Sequence, residues 1–373
     1  MRTALIDLLD HQIAARHCPG VLVHVEQAGQ VRARHAAGQV TPDGGRALHF
    51  GLRFRIASLT KPVVTLAALM LADEGRLDLD APVGNYLPVL ADLRLADGAR
   101  PGRPPSVRDL MRHTSGLAYP FEIGDPAVRA TWLAAGLNAA LSGLDSAAFL
   151  ATLARLPLVA EPGGAFRYGY STDVLGCIVE QLDSLPLGQA LRQRLFDPLG
   201  MRHTSFELAP GEADTLATAF AEDSGWHASI PAIGQRQAGR PWMDSGGGGL
   251  LSTLDDYAAF ARLLAHGGQL PDGRRLLSAR LFAELSRNQL PLGVDGPSAY
   301  TGPGFGFGLG LAVRHDWGPG AMPCQPGELA WSGISGTALF VHPATQWFAL
   351  LFSANMASRM VARLMFRRAV AQA

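Results

Sequence analysis

Ser58-Leu59-Thr60-Lys61 is the segment whose residue types and spacing could do covalent chemistry. Residues three apart on a helix share a face, so the serine hydroxyl and the lysine amine can touch. A serine hydroxyl is a weak nucleophile until a neighbour takes its proton. A lysine amine can take it when burial or nearby positive charge lowers its pKa toward neutrality. An arginine cannot, because its guanidinium keeps its proton in a protein. Of the 32 Lys and Arg residues, Lys61 is the single lysine. Such a pattern arises by chance where lysines are common, but here the one lysine falls in it. The plain alternative is a surface lysine at a helix start. Pro62 suits a first helical turn, where backbone N–H groups lack intrahelical partners. A helix starting at Ser58 would also aim its dipole at a developing oxyanion.

The elements that must hold this pair are legible from periodicity. Residues 3–16 read as a short amphipathic helix, and 20–26 and 30–35, separated by Gln27-Ala28-Gly29, as a hairpin. A helix is expected over about 58–74, ended by Gly75. Between about 80 and 245 the pattern is mainly helical (106–113, 145–153, 171–182 and 186–195). After Gly246-Gly247-Gly248-Gly249 come a helix at 254–266, strand-like segments at 308–314, 329–331, 337–342 and 347–353, and a last helix at about 356–371. Strands at both ends with helices between them predict an α/β (α+β) sheet domain built from both termini, residues 1–80 and 246–373, with a helical domain inserted at 81–245.

Composition narrows the function. The 373 residues carry 32 acidic and 32 basic side chains, a formal net charge of zero, which argues against electrostatic binding of nucleic acid. No transmembrane span is visible; the longest uncharged stretch, Leu329 to Ser358, is broken by Gly333, Gly336 and Pro343. Asp7 and Asp10 interrupt any signal-peptide core. Cys18, Cys177 and Cys324 form neither a disulfide framework nor a zinc pattern. A cytoplasmic protein without membrane attachment is the expectation. Phosphate-loop, HExxH and GxSxG motifs are all missing from the sequence. Gly304-Phe305-Gly306-Phe307-Gly308-Leu309-Gly310 has a period of two, which suits a closely packed strand.

The segment Phe54-Arg55-Ile56-Ala57-Ser58-Leu59-Thr60-Lys61 resembles the active-site stretch of the serine β-lactamase and penicillin-binding-protein superfamily, closest to the class C β-lactamase fold and the family VIII carboxylesterases. Residues 74–82 resemble the turn after the family's first active-site helix. Val107 to Leu117 is similar to its "HTSGL" segment, and Gly247 to Tyr257 to its "GGGLxSTxxDY" segment. The order is preserved over roughly 20–355. The resemblance implies a two-domain fold with an antiparallel sheet flanked by helices. It also implies a tyrosine beside the Ser–Lys pair. Tyr168, five residues before Asp173-Val174-Leu175-Gly176, fits the esterase register; Tyr170-Ser171-Thr172 fits a looser form, without its Asn. Where β-lactamases carry Lys-Thr-Gly, this chain reads Trp331-Ser332-Gly333-Ile334. A neutral, bulky Trp331 should favour uncharged, apolar acyl esters, although a plain core-strand role would also suit it.

The implied reaction is acyl transfer in two steps. Ser58 attacks an ester carbonyl, Lys61 and Tyr168 share the role of base, and N–H groups of Ser58 and Ile334 form the oxyanion hole. Trp331, Ser332, Gly333 and Tyr170 would line the substrate pocket, with further walls from Tyr119, Pro120, Phe121, Trp132 and Trp242. No metal or organic cofactor is expected, and the partner is a small-molecule ester. The alternatives are an acyltransferase passing the group to an alcohol or thiol, a β-lactamase or D,D-peptidase, and a catalytically inactive binding protein on this fold.

Overall fold

A computed structural model describes the chain except residues 1, 15–19, 41–44, 138–142, 218–240, 316–323, 358, 372 and 373. Helix α1 (Arg2–Ala14) precedes strands β1 (Gly20–Gln27) and β2 (Gln30–Gly38). The tight connection puts Ala28 and Gly29 at positive φ (48° and 75°), the geometry that suits the right-handed twist of a hairpin. Strand β3 (Arg53–Arg55) leads through a single 3₁₀ turn, Ala57–Leu59, into helix α2 (Thr60–Asp73). Helices α3 (Val107–Met111), α4 (Pro126–Ala134), α5 (Ser146–Leu153), α6 (Ser171–Asp183), α7 (Leu187–Leu191) and α8 (Asp197–Leu199) fill the middle. Then follow β4 (Leu251–Thr253), α9 (Leu254–Ala265), α10 (Ala279–Ser286), α11 (Ser298–Thr301), β5 (Phe305–Phe307) and β6 (Ala312–Arg314). Strands β7 (Leu329–Ser332), β8 (Ala338–His342) and β9 (Trp347–Phe352) and helix α12 (Arg359–Ala371) close the chain.

Seven strands form one sheet in the order β2-β1-β9-β8-β7-β6-β5, every neighbouring pair antiparallel. The N-terminal hairpin therefore joins the C-terminal strands through β1 and β9, as expected for a sheet built from both ends. Strand alternation sorts its two faces. On β9, Phe348 lies by Arg262 of α9 and Phe352 by Tyr257. Trp347, one residue out of phase, lies by Arg367 of α12. Phe340, which pairs with Ala349, packs on Phe366 of α12. So α9 covers one face and α12, with α1 beside it, the other.

The strand expected at 308–314 is shorter than that. The chain is extended at Phe305–Phe307, bends out, and resumes at Ala312. Gly310 has φ +79° and passes against Thr65, where a Cβ would sit 2.5 Å from the threonine Oγ1. Those glycines thus serve a close crossing over α2 rather than a continuous strand.

Helix α2 has no polar face. Eleven of its residues are buried, and it packs against α6, so it runs through the interior and carries its first turn into the site.

Candidate active site

The turn that presents Ser58 is held from two sides. Ala57, just before it, has φ +47°, a conformation a residue with a Cβ occupies only when its surroundings enforce it. The first enforcer is the segment from Gly247 to Tyr257. Ile56 N–H donates to Leu250 O (3.0 Å), Leu250 N–H to Thr60 Oγ1 (3.1 Å), and the Tyr257 hydroxyl to Leu59 O (2.8 Å). The second is the end of β7 and the turn after it. Thr337 Oγ1 donates to Ile56 O (3.1 Å) and Ser335 Oγ to Arg55 O. At Gly333 a Cβ would lie 2.3 Å from Ile56 O, so only glycine lets β7 lie this close to the nucleophile turn.

Lys61 is 1% exposed, among the largest fully buried side chains, which excludes the surface-lysine alternative. Its Nζ lies within hydrogen-bond distance of three oxygens: Gly247 O at 2.6 Å, Tyr119 Oη at 3.3 Å and Ser58 Oγ at 3.4 Å. The Gly247 carbonyl is itself fixed, because buried Asp173 accepts from Gly247 N–H (3.0 Å) and Ser245 Oγ (2.6 Å). Burial raises the Asp173 carboxyl, while the nearby Lys61 charge and those hydrogen bonds pull it back. Ser58 is only half-buried, so the pair meets solvent on the serine side.

Tyr168 and Tyr119 flank the amine. The Lys61 ammonium lies 4.5 Å from the centroid of the Tyr168 ring, a cation–π distance. The Tyr168 hydroxyl is buried and bonds no described group, whereas the hydroxyl that touches Lys61 belongs to Tyr119. Burial, and secondarily the Asp173 carboxyl, push the Tyr119 phenol well above its ordinary 10, so it stays protonated at neutral pH. The two loops meet directly. Tyr119 N–H donates to Tyr168 O (2.9 Å), and a Cβ on Gly169 would fall 2.4 Å from Ala118 Cα. His113, from the "HTSGL" segment, packs on the Tyr168 ring at 4.8 Å, and neither of its ring nitrogens has a partner among the described residues. Burial and then the Lys61 charge hold it neutral, well below 6.5.

Trp331 stands beside this group, its ring 5.4 Å from Tyr168 and 5.2 Å from Phe307. Ser332 and Ile334 are half-buried at the strand end. Two expected wall residues lie elsewhere. The Tyr170 hydroxyl donates to Leu137 O, and its ring stacks on Trp132; Trp132 in turn bonds Pro157 O (3.1 Å). Both are buried, the Tyr170 ring lying 4.7 Å from that of Tyr119. Cys18 lies outside the described residues.

The beta-lactamase family model matches residues 5–373. The chain belongs to the beta-lactamase family. Esterase EstB of Burkholderia gladioli is 31% identical over 374 residues, covering 93% of this chain and 88% of that protein. Protein Rv1367c of Mycobacterium tuberculosis is 34% identical over 83% of this chain and 79% of its own length. Among solved structures, EstCE1, described as a hydrolase with promiscuous acyltransferase activity, superposes with a TM-score of 0.84 at 28% identity, covering 99% of this chain and 98% of its own. These likenesses agree with the seven-stranded antiparallel sheet and its helical layers as a beta-lactamase-type fold. No described helix is long and apolar enough to cross a membrane.

Proposed function

We propose that this beta-lactamase family member is a serine hydrolase of small, uncharged carboxylic esters, acting through an acyl-enzyme on Ser58. The observation that carries the reading is the chain's single lysine, fully buried and 3.4 Å from the Ser58 hydroxyl. Ser58 Oγ attacks the ester carbonyl carbon as its proton passes to the neutral amine form of Lys61, which becomes the ammonium. The tetrahedral oxyanion is held by the N–H groups of Ser58 and Ile334, a contribution of about 3–4 kcal/mol per donor in hydrolases of this kind. Collapse expels the alcohol, which is protonated by the Lys61–Tyr168 pair. Water then adds to the acyl-enzyme by the same steps in reverse. Tyr119 orients the amine. Trp331 supports an uncharged acyl group, since it places an apolar ring where a carboxylate-binding lysine would stand. The similarity to EstB supports ester hydrolysis over β-lactam or peptide cleavage.

The similarity to EstCE1 supports a second reading, transfer of the acyl group to an alcohol. A panel of p-nitrophenyl esters of rising acyl length, run with and without added alcohols, tests both. Turnover of short esters that disappears in Ser58→Ala is expected. Free acid as the main product indicates a hydrolase; ester product in excess of acid indicates a transferase. Lys61→Arg should lose at least about 100-fold; an Arg variant with substantial activity would sink the proton-acceptor role. Rapid nitrocefin hydrolysis with inert esters would overturn the esterase reading.

A further inference from the structure

Helix α12 contributes a buried cation with no acid to meet it among the described residues. Arg363 is 8% exposed, and no described carboxylate lies within ion-pair distance of it; Arg367, one turn on, pairs with Glu328 at 2.8 Å. The Arg363 contacts are backbone carbonyls. Nη2 donates to Gly333 O and to Thr337 O (3.3 Å), and Nη1 approaches Met360 Sδ (3.7 Å). Burial, with the nearby charge of Arg359, pulls its pKa down to about 9, so it is still cationic at neutral pH. Keeping such a charge inside the fold is costly unless something compensates it.

The placement suggests what does. The Gly333 carbonyl and the Ile334 N–H belong to one peptide unit. That carbonyl accepts two donors, Arg363 Nη2 and the Gly336 N–H (3.1 Å) that closes the turn. Drawing electron density from the carbonyl strengthens the N–H at the other end of the same peptide, and a charged donor does so most. The Ile334 N–H has no acceptor among the described residues. It is free for a group arriving at Ser58.

We propose that Arg363 is a positioning residue of the oxyanion hole, locking and polarising the Gly333–Ile334 peptide from the far side of the sheet. Its positive charge meets a negative one only when the oxyanion forms. This rests on the reading of Ser58 as an acyl-transfer nucleophile and of Ile334 as its oxyanion donor. Arg363 touches no reacting atom, and its effect passes through one peptide group.

The test compares Arg363→Met, Arg363→Gln and Arg363→Lys in the full chain, with active sites counted by covalent labelling of Ser58 with a fluorophosphonate. Turnover per labelled site should fall about 10- to 100-fold in the Met and Gln variants, less than for a lost direct donor, with KM within about twofold. A boronic acid, which adds to Ser58 as a tetrahedral anion, should lose affinity by the same factor. Binding of an uncharged amide analogue of the substrate should not change. The Lys variant should stay within about threefold of wild type. If the Met variant does not fold, the Gln and Lys pair decides, since both keep a donor and only one keeps the charge. Gln equal to Lys, or a lowered Tm with unchanged turnover per labelled site, would overturn the proposal. A wild-type protein inert to both esters and fluorophosphonate would defeat the reading of Ser58 itself; a reactive wild type matched by Arg363→Gln defeats only the role of Arg363.

Discussion

At the residue scale, two tyrosines flank the Lys61 amine where a single one was expected. Tyr119 touches the amine, and Tyr168 keeps a buried hydroxyl with no described partner beside it. A buried polar group left unbonded is costly, and at a site it marks a place where a substrate group or proton is received. Tyr168→Phe should therefore cost about 100-fold or more in kcat, the scale of a lost acid–base group. Tyr119→Phe should cost about tenfold, since it removes only a contact to Lys61. Equal losses in the two variants, read by steady-state kinetics over pH 5–9, would contradict this division. Tyr168 was legible because its spacing to Asp173 is local. The Tyr119 contact was not, because it depends on 58 residues of chain folding back on Lys61.

At the element scale, the loops that carry the tyrosines are fastened by small residues and by one buried acid. Asp109 is fully buried and caps α3 with Ser106, and it accepts from Arg103, Arg112 and Thr114. Burial would raise its carboxyl, yet those donors hold it far below the ordinary range. That network sets the "HTSGL" segment in place, and the Ser115–Ser171 hydroxyl contact (2.9 Å) ties it to α6. Gly169 is the tightest joint. A methyl there meets backbone atoms of Leu117 and Ala118 at 2.4 Å, which cannot yield as a flexible side chain would. Gly169→Ala should lower stability by about 2–3 kcal/mol and reduce kcat/KM more than Tyr119→Phe alone, as both tyrosines move. Thermal unfolding and ester kinetics on the same preparation check this; an Ala variant with wild-type kinetics would show that the loops need not touch. The glycine was visible in the sequence as a letter between two tyrosines, but its reason was not, because the clash is with a segment 51 positions away.

At the scale of the whole molecule, the sheet is closed by residues from opposite ends, and ion pairs reinforce the closure. Glu26 of β1 accepts from Arg262 of α9 and from His24. Burial alone would raise its carboxyl, but these partners outweigh it and hold it at about 2 instead of 4.5. A carboxyl depressed in the folded state stabilises the fold above its unfolded value and loses that stabilisation as pH falls through its folded value. Wild type should thus exceed Glu26→Gln by about 1–3 kcal/mol at pH 7, the gap closing between pH 4.5 and about 2. Urea unfolding at pH 7, 4 and 3 measures it. A gap constant across that range would assign the loss to packing.

The sequence by itself determined the order of elements and singled out a candidate reactive pair. The single lysine, placed three residues after a serine at a helix start, sets an amine beside a hydroxyl, because the i, i+3 contact is local and needs no tertiary information. The hairpin, the helices and the strand pattern at both ends follow from periodicity, which is also local. Only the tertiary structure decided which tyrosine hydroxyl meets Lys61, that Tyr170 and Trp132 are buried in the core, and that Arg363 reaches the Gly333 carbonyl. Each of these depends on contacts between segments dozens to hundreds of residues apart, and their geometry is set by how two layers pack rather than by any one segment's preference.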